Sequence, residues 1–176
     1  MFEYEIYIQS SPRLLFREGI LSDIITLKGR QLLEQELKKL IEVERPSVIK
    51  AISEAREHGD LSENAEYSAA KERQSFVEGR ILQISSRIAS SEVVDPSSID
   101  SDKVMFGATV TVLDLDTDEK SKYQIVGQDE ANAETGSISL LSPISRALIG
   151  KKVGDITTVK IPKGEAEYEI LEIKYV

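Results

Sequence analysis

Apolar residues recur at coiled-coil spacing through the first half of this chain, and this pattern constrains the fold most. Alternating steps of three and four residues, with one polar exception, join Tyr67, Ala70, Gln74, Val77, Ile81, Ile84 and Ile88. Such a stripe is the seam of a coiled coil, because it keeps one face of a helix against a partner. It predicts a second helix over roughly 65–93, about 44 Å long at 1.5 Å per residue.

An earlier stripe supplies the partner helix. It contains Leu33, Leu37 and Leu40, and it resumes in a shifted phase at Val48, Ile52 and Ala55. Pro46 lies between the two phases, and a proline inside a helix removes a hydrogen bond and clashes with the preceding turn. We therefore predict a kink or a short break there.

A short break separates the two stripes at Gly59 and Asp60. Glycine is typical of a helix end, and aspartate can cap the start of the next helix. A short connection between two amphipathic helices gives an antiparallel hairpin, with Asp60 near its tip.

The periodicity changes to two after residue 98. Strands are predicted over 108–115 and 120–126, around a turn at 116–119, and over 137–141, 155–161 and 165–174. A short helix is predicted over 143–149, with Ser142 as its cap and Pro143 at its first position. The second half is therefore a small, mostly antiparallel α+β domain.

Composition excludes several function classes. The chain has no cysteine and one histidine, so thiolate chemistry and multi-histidine metal sites are ruled out. The formal net charge is −9 and both halves are acidic, which argues against a stand-alone nucleic-acid binder. We expect no membrane association, because no apolar run reaches the ~18–20 residues needed to span a bilayer. The lack of a disulfide framework and of a signal-peptide pattern predicts a cytoplasmic protein.

Several separated motifs resemble one known family. The run 55–67 (AREHGDLSENAEY) and the segments 45–49 (RPSVI), 106–110 (FGATV) and 142–151 (SPISRALIGK) are similar to the motifs of the GreA/GreB family. The resemblance covers about residues 25–176, and the amino-acid sequence of residues Arg56–Gly59 is more similar to the GreA branch than to the GreB branch. Residues 1–23 fall outside it, and we expect either an upstream start-site assignment or a disordered extension there.

This resemblance implies a fold, a partner and an activity. It implies a coiled-coil hairpin at 24–95 with an acidic tip at 57–64, a linker at 96–104, and a domain at 105–176 similar to the FKBP fold. That domain would dock at the secondary channel of bacterial RNA polymerase through Ser142 and Pro143. The hairpin would enter the channel and stimulate the polymerase's own cleavage of backtracked RNA. The protein would then be a monomer that is not itself an enzyme.

Asp60 and Glu63 are the candidate catalytic acids under this resemblance. Magnesium takes only one or two carboxylates from most proteins, so this pair would hold no cofactor of its own and would share Mg²⁺ with the polymerase active site. The alternative is structural: Asp60 as the cap and Glu63 three residues later match a capping box.

Other candidates also have two interpretations. We assign contact with the nascent RNA 3′ segment to Arg56, Tyr67, Lys71 and Arg73, with ordinary packing (Tyr67) or solvated helix surface (the others) as the alternative. His58 could be a general base, but an interaction with the helix dipole explains it more simply.

Three other functions compete with the cleavage factor. A Gre-like channel inhibitor would share the architecture, but the intact Asp60/Glu63 pair argues against it. A prolyl isomerase or chaperone would need an aromatic pocket, for which the second half has few aromatics and no tryptophan. A generic coiled-coil adaptor would not explain the specific tip.

Overall fold

The computed structural model describes residues 24–57, 64–161 and 164–176. These residues form two compact units. One is Arg30–Ser91, and the other combines residues 24–29 with Glu92–Val176. The predicted α+β class with two domains is confirmed.

The first unit is a helical hairpin. Its helices in chain order are α1 (Leu27–Lys39), which begins in the other unit, a π-helical segment (Leu40–Glu44), α2 (Arg45–Glu57) and α3 (Ala65–Ser90). The predicted seam is confirmed, since every one of its seven positions on α3 is buried or half-buried. Val77 and Ile84 are the most buried, with 3% and 1% of their surface exposed. No helix among the described residues is long and apolar enough to cross a membrane.

The π-helical segment explains the phase shift in the first stripe. The backbone N–H of Arg45 bonds to the carbonyl of Leu40, five residues back, which adds one residue to the turn. If the spacing of Leu33, Leu37 and Leu40 continued without interruption, the next apolar positions would be 44, 47, 51 and 54. The buried residues are instead Val48, Ile52 and Ala55, each one position later than expected. Because Pro46 has no N–H to donate, a regular α-turn would lose a bond here. The predicted irregularity is therefore a wide turn, and the helix continues through it.

Ion pairs across the hairpin show that its arms are antiparallel. Arg80 binds Glu36 through Nε–Oε1 (2.7 Å) and Nη2–Oε2 (2.9 Å), and Arg45 binds Glu78 in the same way at 2.7 and 2.6 Å. In both pairs the arginine hydrogen bond is the main cause that lowers the pKa of the carboxyl. Half-exposed pairs of this kind add little stability but favour one register.

The second unit is built on a five-stranded sheet. From residue 92 onward its elements are β2 (Glu92–Val94), β3 (Ala108–Asp114), β4 (Lys120–Val126), β5 (Ser137–Ser139), α4 (Pro143–Leu148), β6 (Ile156–Ile161) and β7 (Gly164–Tyr175). The strand order in the five-stranded sheet is β5-β4-β3-β7-β6. Within that sheet β4 and β5 pair in parallel, and the other neighbouring strands pair antiparallel. The strands and helix predicted from the sequence are all present. Pro162 and Lys163, in the predicted β6–β7 turn, lie outside the described residues.

A β-bulge keeps β7 facing the core along its length. Ala166, Tyr168 and Ile170 are buried at every second position. The pairing with β3 then shifts between Thr111 and Val112, so that Ile173 and Tyr175 pack against the same core. One extra residue in a strand reverses the side-chain alternation beyond it.

The strand β1 (Ile24–Thr26) belongs to the sheet unit, unlike the division expected from the sequence. It pairs in parallel with β2, and Ile24 joins the core of the sheet unit. The helical unit is therefore Arg30–Ser91 rather than 24–95. The segment 96–104, expected as a linker, is packed: Pro96 is buried and Val104 is fully buried.

The Glu130 carboxylate holds the junction of β1 and α1. Its Oε1 accepts from the backbone N–H of Thr26 (2.9 Å) and of Gly127 (3.1 Å), and its Oε2 accepts from the Thr26 hydroxyl. The Thr26 hydroxyl in turn accepts from the N–H of Gly29 (2.9 Å), which caps the first turn of α1. A Cβ at Gly29 would lie 2.0 Å from Glu130 Oε2, so the glycine makes room for the carboxylate.

We expect Glu130→Ala to destabilise the protein by about 1–3 kcal/mol, because it leaves the donors of buried Thr26 unpaired. Gly29→Ala should have a similar cost, since its methyl group displaces the carboxylate. In the Glu130→Ala background, however, Gly29→Ala should be neutral or stabilising by up to about 1 kcal/mol, because alanine favours helix and the clash is gone. Urea unfolding of the parent, the two single variants and the double variant measures how far the two effects on the free energy of unfolding depend on each other. Additive effects would contradict the close approach of the Glu130 carboxylate to Gly29.

Candidate functional site at the turn of the hairpin

Asn64 closes the hairpin at the point where α2 passes to α3. Its Oδ1 accepts from the backbone N–H of Tyr67 (3.0 Å), which makes Asn64 the N-cap of α3. Its Nδ2 donates to the carbonyl of Ala55 in the last turn of α2 (2.9 Å). The prediction that Asp60 caps the second helix is therefore wrong, because Asn64 satisfies the N3 amide of that helix.

Two candidate RNA-binding residues meet beside this cap. The guanidinium carbon of Arg56 lies 5.9 Å from the centre of the Tyr67 ring, within range of a cation–π interaction. Tyr67 is half-buried as the first seam residue, whereas Arg56 is exposed. Tyr67 thus packs, as the simpler interpretation expected, and also orients a cation.

Lys71 and Arg73, the two candidate RNA-binding cations on α3, have different partners. Lys71 Nζ donates to the neutral side chain of Gln74 (2.7 Å). Arg73 Nη2 instead forms an ion pair with Glu44 Oε2 across the hairpin (2.6 Å). Much of the charge of Arg73 is therefore balanced within the hairpin, and that of Lys71 is not balanced by this contact.

The candidate acids Asp60 and Glu63, together with His58, lie outside the described residues. The sequence places both acids in the six-residue segment 58–63 between α2 and α3. Among residues 24–57, 64–161 and 164–176, no group of three or more His, Asp or Glu side chains is arranged to hold a metal ion.

Ser142 and Pro143 begin α4 in the sheet unit. The Ser142 hydroxyl accepts from the N–H of Ser145 (3.1 Å) and donates to the hydroxyl of the same fully buried residue (2.9 Å). Pro143 occupies the first helical position and is exposed. The predicted cap is confirmed, and it leaves Pro143 as the accessible member of the pair.

Fold and site together define a class of protein. It is an α+β chain with a coiled-coil hairpin, whose connecting segment contains two acids in the sequence, and with a sheet unit in which the start of a short helix is exposed. The family described as "Transcription elongation factor, N-terminal" matches residues 23–93, and that described as "Transcription elongation factor, GreA/GreB, C-term" matches residues 99–175.

Individual relatives agree with these matches. The chain is 57% identical over 152 residues to transcription elongation factor GreA of Caulobacter sp. (strain K31), covering 86% of this chain and 97% of that protein. It is 55% identical over 152 residues to the GreA factor of Ralstonia nicotianae, covering 86% and 96%. The chain therefore belongs to the GreA/GreB family of transcription elongation factors.

Solved structures give more distant matches. One is GreA factor homolog 1 (Gfh1) of Thermus thermophilus, with 27% identity, a TM-score of 0.40, and coverage of 87% of this chain and 99% of that chain. Another is the GreA/GreB elongation factor of Nitrosomonas europaea, with 22% identity, a TM-score of 0.39, and coverage of 87% and 99%.

Sequence reasoning missed the role of Asn64. Asp60, Ser62 and Asn64 are all residue types that cap helices, so the choice among them could not be made from local preference. The signal available was the start of the apolar seam at Tyr67, since an N-cap accepts from the amide three residues later.

Proposed function

We propose that this chain binds bacterial RNA polymerase and stimulates the polymerase's own endonucleolytic cleavage of backtracked RNA. The capping of α3 by Asn64 carries the proposal beyond family membership. Because Asn64 provides the cap, α3 does not require either Asp60 or Glu63 at its start. We therefore assign the two carboxylates of the segment 58–63, Asp60 and Glu63, to the cleavage chemistry rather than to the start of α3.

The proposed role of the acids is shared metal binding. Carboxylate oxygens are the type of ligand that Mg²⁺ prefers. Two carboxylates alone, however, provide too few ligands for a separate Mg²⁺ site. Asp60 and Glu63 would hold Mg²⁺ jointly with the polymerase active site. Mg²⁺ bound there would lower the pKa of a bound water and would stabilise the charge on the leaving oxygen.

The cations beside the acids would contact the nascent RNA 3′ segment. Arg56 is exposed and lies over the Tyr67 ring, and Lys71 donates to the neutral side chain of Gln74. The pairing of Arg73 with Glu44 favours Lys71 over Arg73 for this contact. Polymerase docking is proposed for Ser142 and Pro143, with Pro143 providing the accessible surface. We further propose a monomer that works in the cytoplasm.

A backtracked elongation complex with RNA labelled at its 3′ end tests the proposal. We expect short labelled fragments when protein, polymerase complex and Mg²⁺ are combined. We expect none when the protein and Mg²⁺ are mixed with the same RNA alone, because two acids do not make a self-sufficient nuclease. An unchanged complex would refute the activator, and cleavage of free RNA by contaminant-free protein would show an enzyme instead.

A further inference from the structure

We propose that Asn64 is a positioning residue that fixes the two ends of the acid-bearing segment relative to each other. This role rests on the proposed function, because the acids that it positions are those assigned to cleavage. It does not rest on the capping of α3 alone, since Asn64 makes a second bond that no cap requires.

The two bonds of Asn64 use both ends of one side-chain amide. The carbonyl oxygen accepts from the Tyr67 amide (3.0 Å), and the amino group donates to the Ala55 carbonyl (2.9 Å). The backbone carbonyl of Asn64 also accepts the first α-helical bond of α3, from the N–H of Ser68 (3.1 Å). One residue thus joins the end of α2 to the start of α3.

On α2, the residue whose carbonyl accepts from Asn64 lies in a packed position. Ala55 belongs to the apolar stripe of α2 and is buried, with 3% of its surface exposed. Near the end of a helix, carbonyl oxygens commonly need donors from outside the helix, and Asn64 supplies one to Ala55. The Arg56–Tyr67 contact lies next to this bond on both helices and reinforces the same closure.

Few residue types can make both bonds. Aspartate caps as well as asparagine but has no N–H to donate, and it would place a carboxylate against the Ala55 carbonyl. Serine also caps, but its side chain is one group shorter and carries a single oxygen. Alanine makes neither bond. These three replacements therefore separate capping from bridging.

The consequence for function is one of placement. The segment 58–63 must span the gap between Glu57 and Asn64, so a fixed gap restricts where Asp60 and Glu63 can lie. Catalytic groups misplaced by about 1 Å can lose on the order of a hundredfold in rate. We expect Asn64→Asp and Asn64→Ser to lower the maximal rate of RNA cleavage by about tenfold or more. The protein concentration that gives half of the maximal rate should stay unchanged, because the docking surface is not altered.

The test uses full-length parent, Asn64→Asp, Asn64→Ser and Asn64→Ala with a backtracked elongation complex. Asn132→Asp is the matched control, since Asn132 caps a 3-10 turn in the sheet unit (2.9 Å to the amide of Glu134), and the change adds the same charge. Amide hydrogen exchange without polymerase gives a second readout. In Asn64→Asp and Asn64→Ser, the Tyr67 amide should stay protected while the amides of residues 55–57 exchange severalfold faster.

The outcomes separate this inference from the proposed function. If the parent stimulates cleavage and both the aspartate and the serine variants lose rate, with faster exchange at 55–57, the positioning role holds. If only Asn64→Ala loses rate, Asn64 is a cap and nothing more. A loss in Asn64→Asp alone would be an effect of charge and would overturn the inference. A parent without any stimulation refutes the proposed function and, with it, this role.

Discussion

Replacing Asp60 with asparagine is expected to remove most of the stimulation of RNA cleavage while leaving the protein folded. A metal ion that stabilises a transition state is worth several kcal/mol, and each 1.36 kcal/mol is a factor of ten in rate. We therefore expect a fall of about a hundredfold or more for Asp60→Asn, and a similar fall for Glu63→Gln. Both changes keep the shape of the side chain and remove the charge that a shared Mg²⁺ requires.

The same two substitutions should leave the stability of the protein nearly unchanged, whichever residue caps α3. If Asp60 capped α3, its replacement by asparagine would change little, because the two residues cap equally well. Since Asn64 caps α3 instead, neither acid is needed at the start of that helix, and thermal stability should change by about 1 kcal/mol or less.

A matched control is available on α3 itself. Glu66 is an exposed acid in the first turn of this helix, two residues after the cap. Glu66→Gln removes the same charge close to the same segment and should leave the cleavage rate close to that of the parent. The measurement is the cleavage rate of a backtracked complex at saturating protein. Rates near the parental value for both Asp60→Asn and Glu63→Gln would contradict the metal role.

Regular local patterns made the larger part of the fold predictable. The seam on α3 follows from the spacing of seven residues, and the strands of the sheet follow from alternation. The short helix α4 follows from a serine, a proline and a glycine at its ends. In each case the burial of one face determines the structure, and that face can be identified from the sequence.

The features that could not be predicted depend on contacts between distant residues. Thr26 and Glu130 are 104 positions apart, so their bond, and with it the place of β1 in the sheet unit, leaves no local signal. The bond from the Asn64 amino group to the carbonyl of Ala55, nine positions earlier, joins the two arms of the hairpin and likewise leaves no local signal. Arg73 appeared to be a solvated or RNA-facing cation because its partner Glu44 lies on the other arm. Local propensity offers several answers at such positions, and tertiary contacts choose among them.

A negative charge at Pro143 is expected to weaken polymerase binding by about tenfold or more, the scale of 1–2 kcal/mol for a central interface contact. Pro143 is exposed at the first position of α4, whereas the Ser142 hydroxyl is committed to the cap and to buried Ser145. Pro143→Asp therefore alters the surface without removing the cap, and an acidic residue in the first turn suits the helix dipole. Changes at Ser142 would instead disturb the helix and confuse a lost contact with lost structure.

Ala133→Asp is the matched control for this change. Ala133 is an exposed first residue of another capped turn in the same unit, following Asn132 as Pro143 follows Ser142. Both variants add one negative charge at an equivalent position, so a general effect of charge on an already acidic protein would weaken both equally. Competition binding to polymerase core enzyme, with unfolding measured in parallel, should show a loss for Pro143→Asp alone. Equal affinities for the two variants would place the docking surface elsewhere on the chain, because a charge in the centre of an interface must be desolvated at a cost that one outside it avoids.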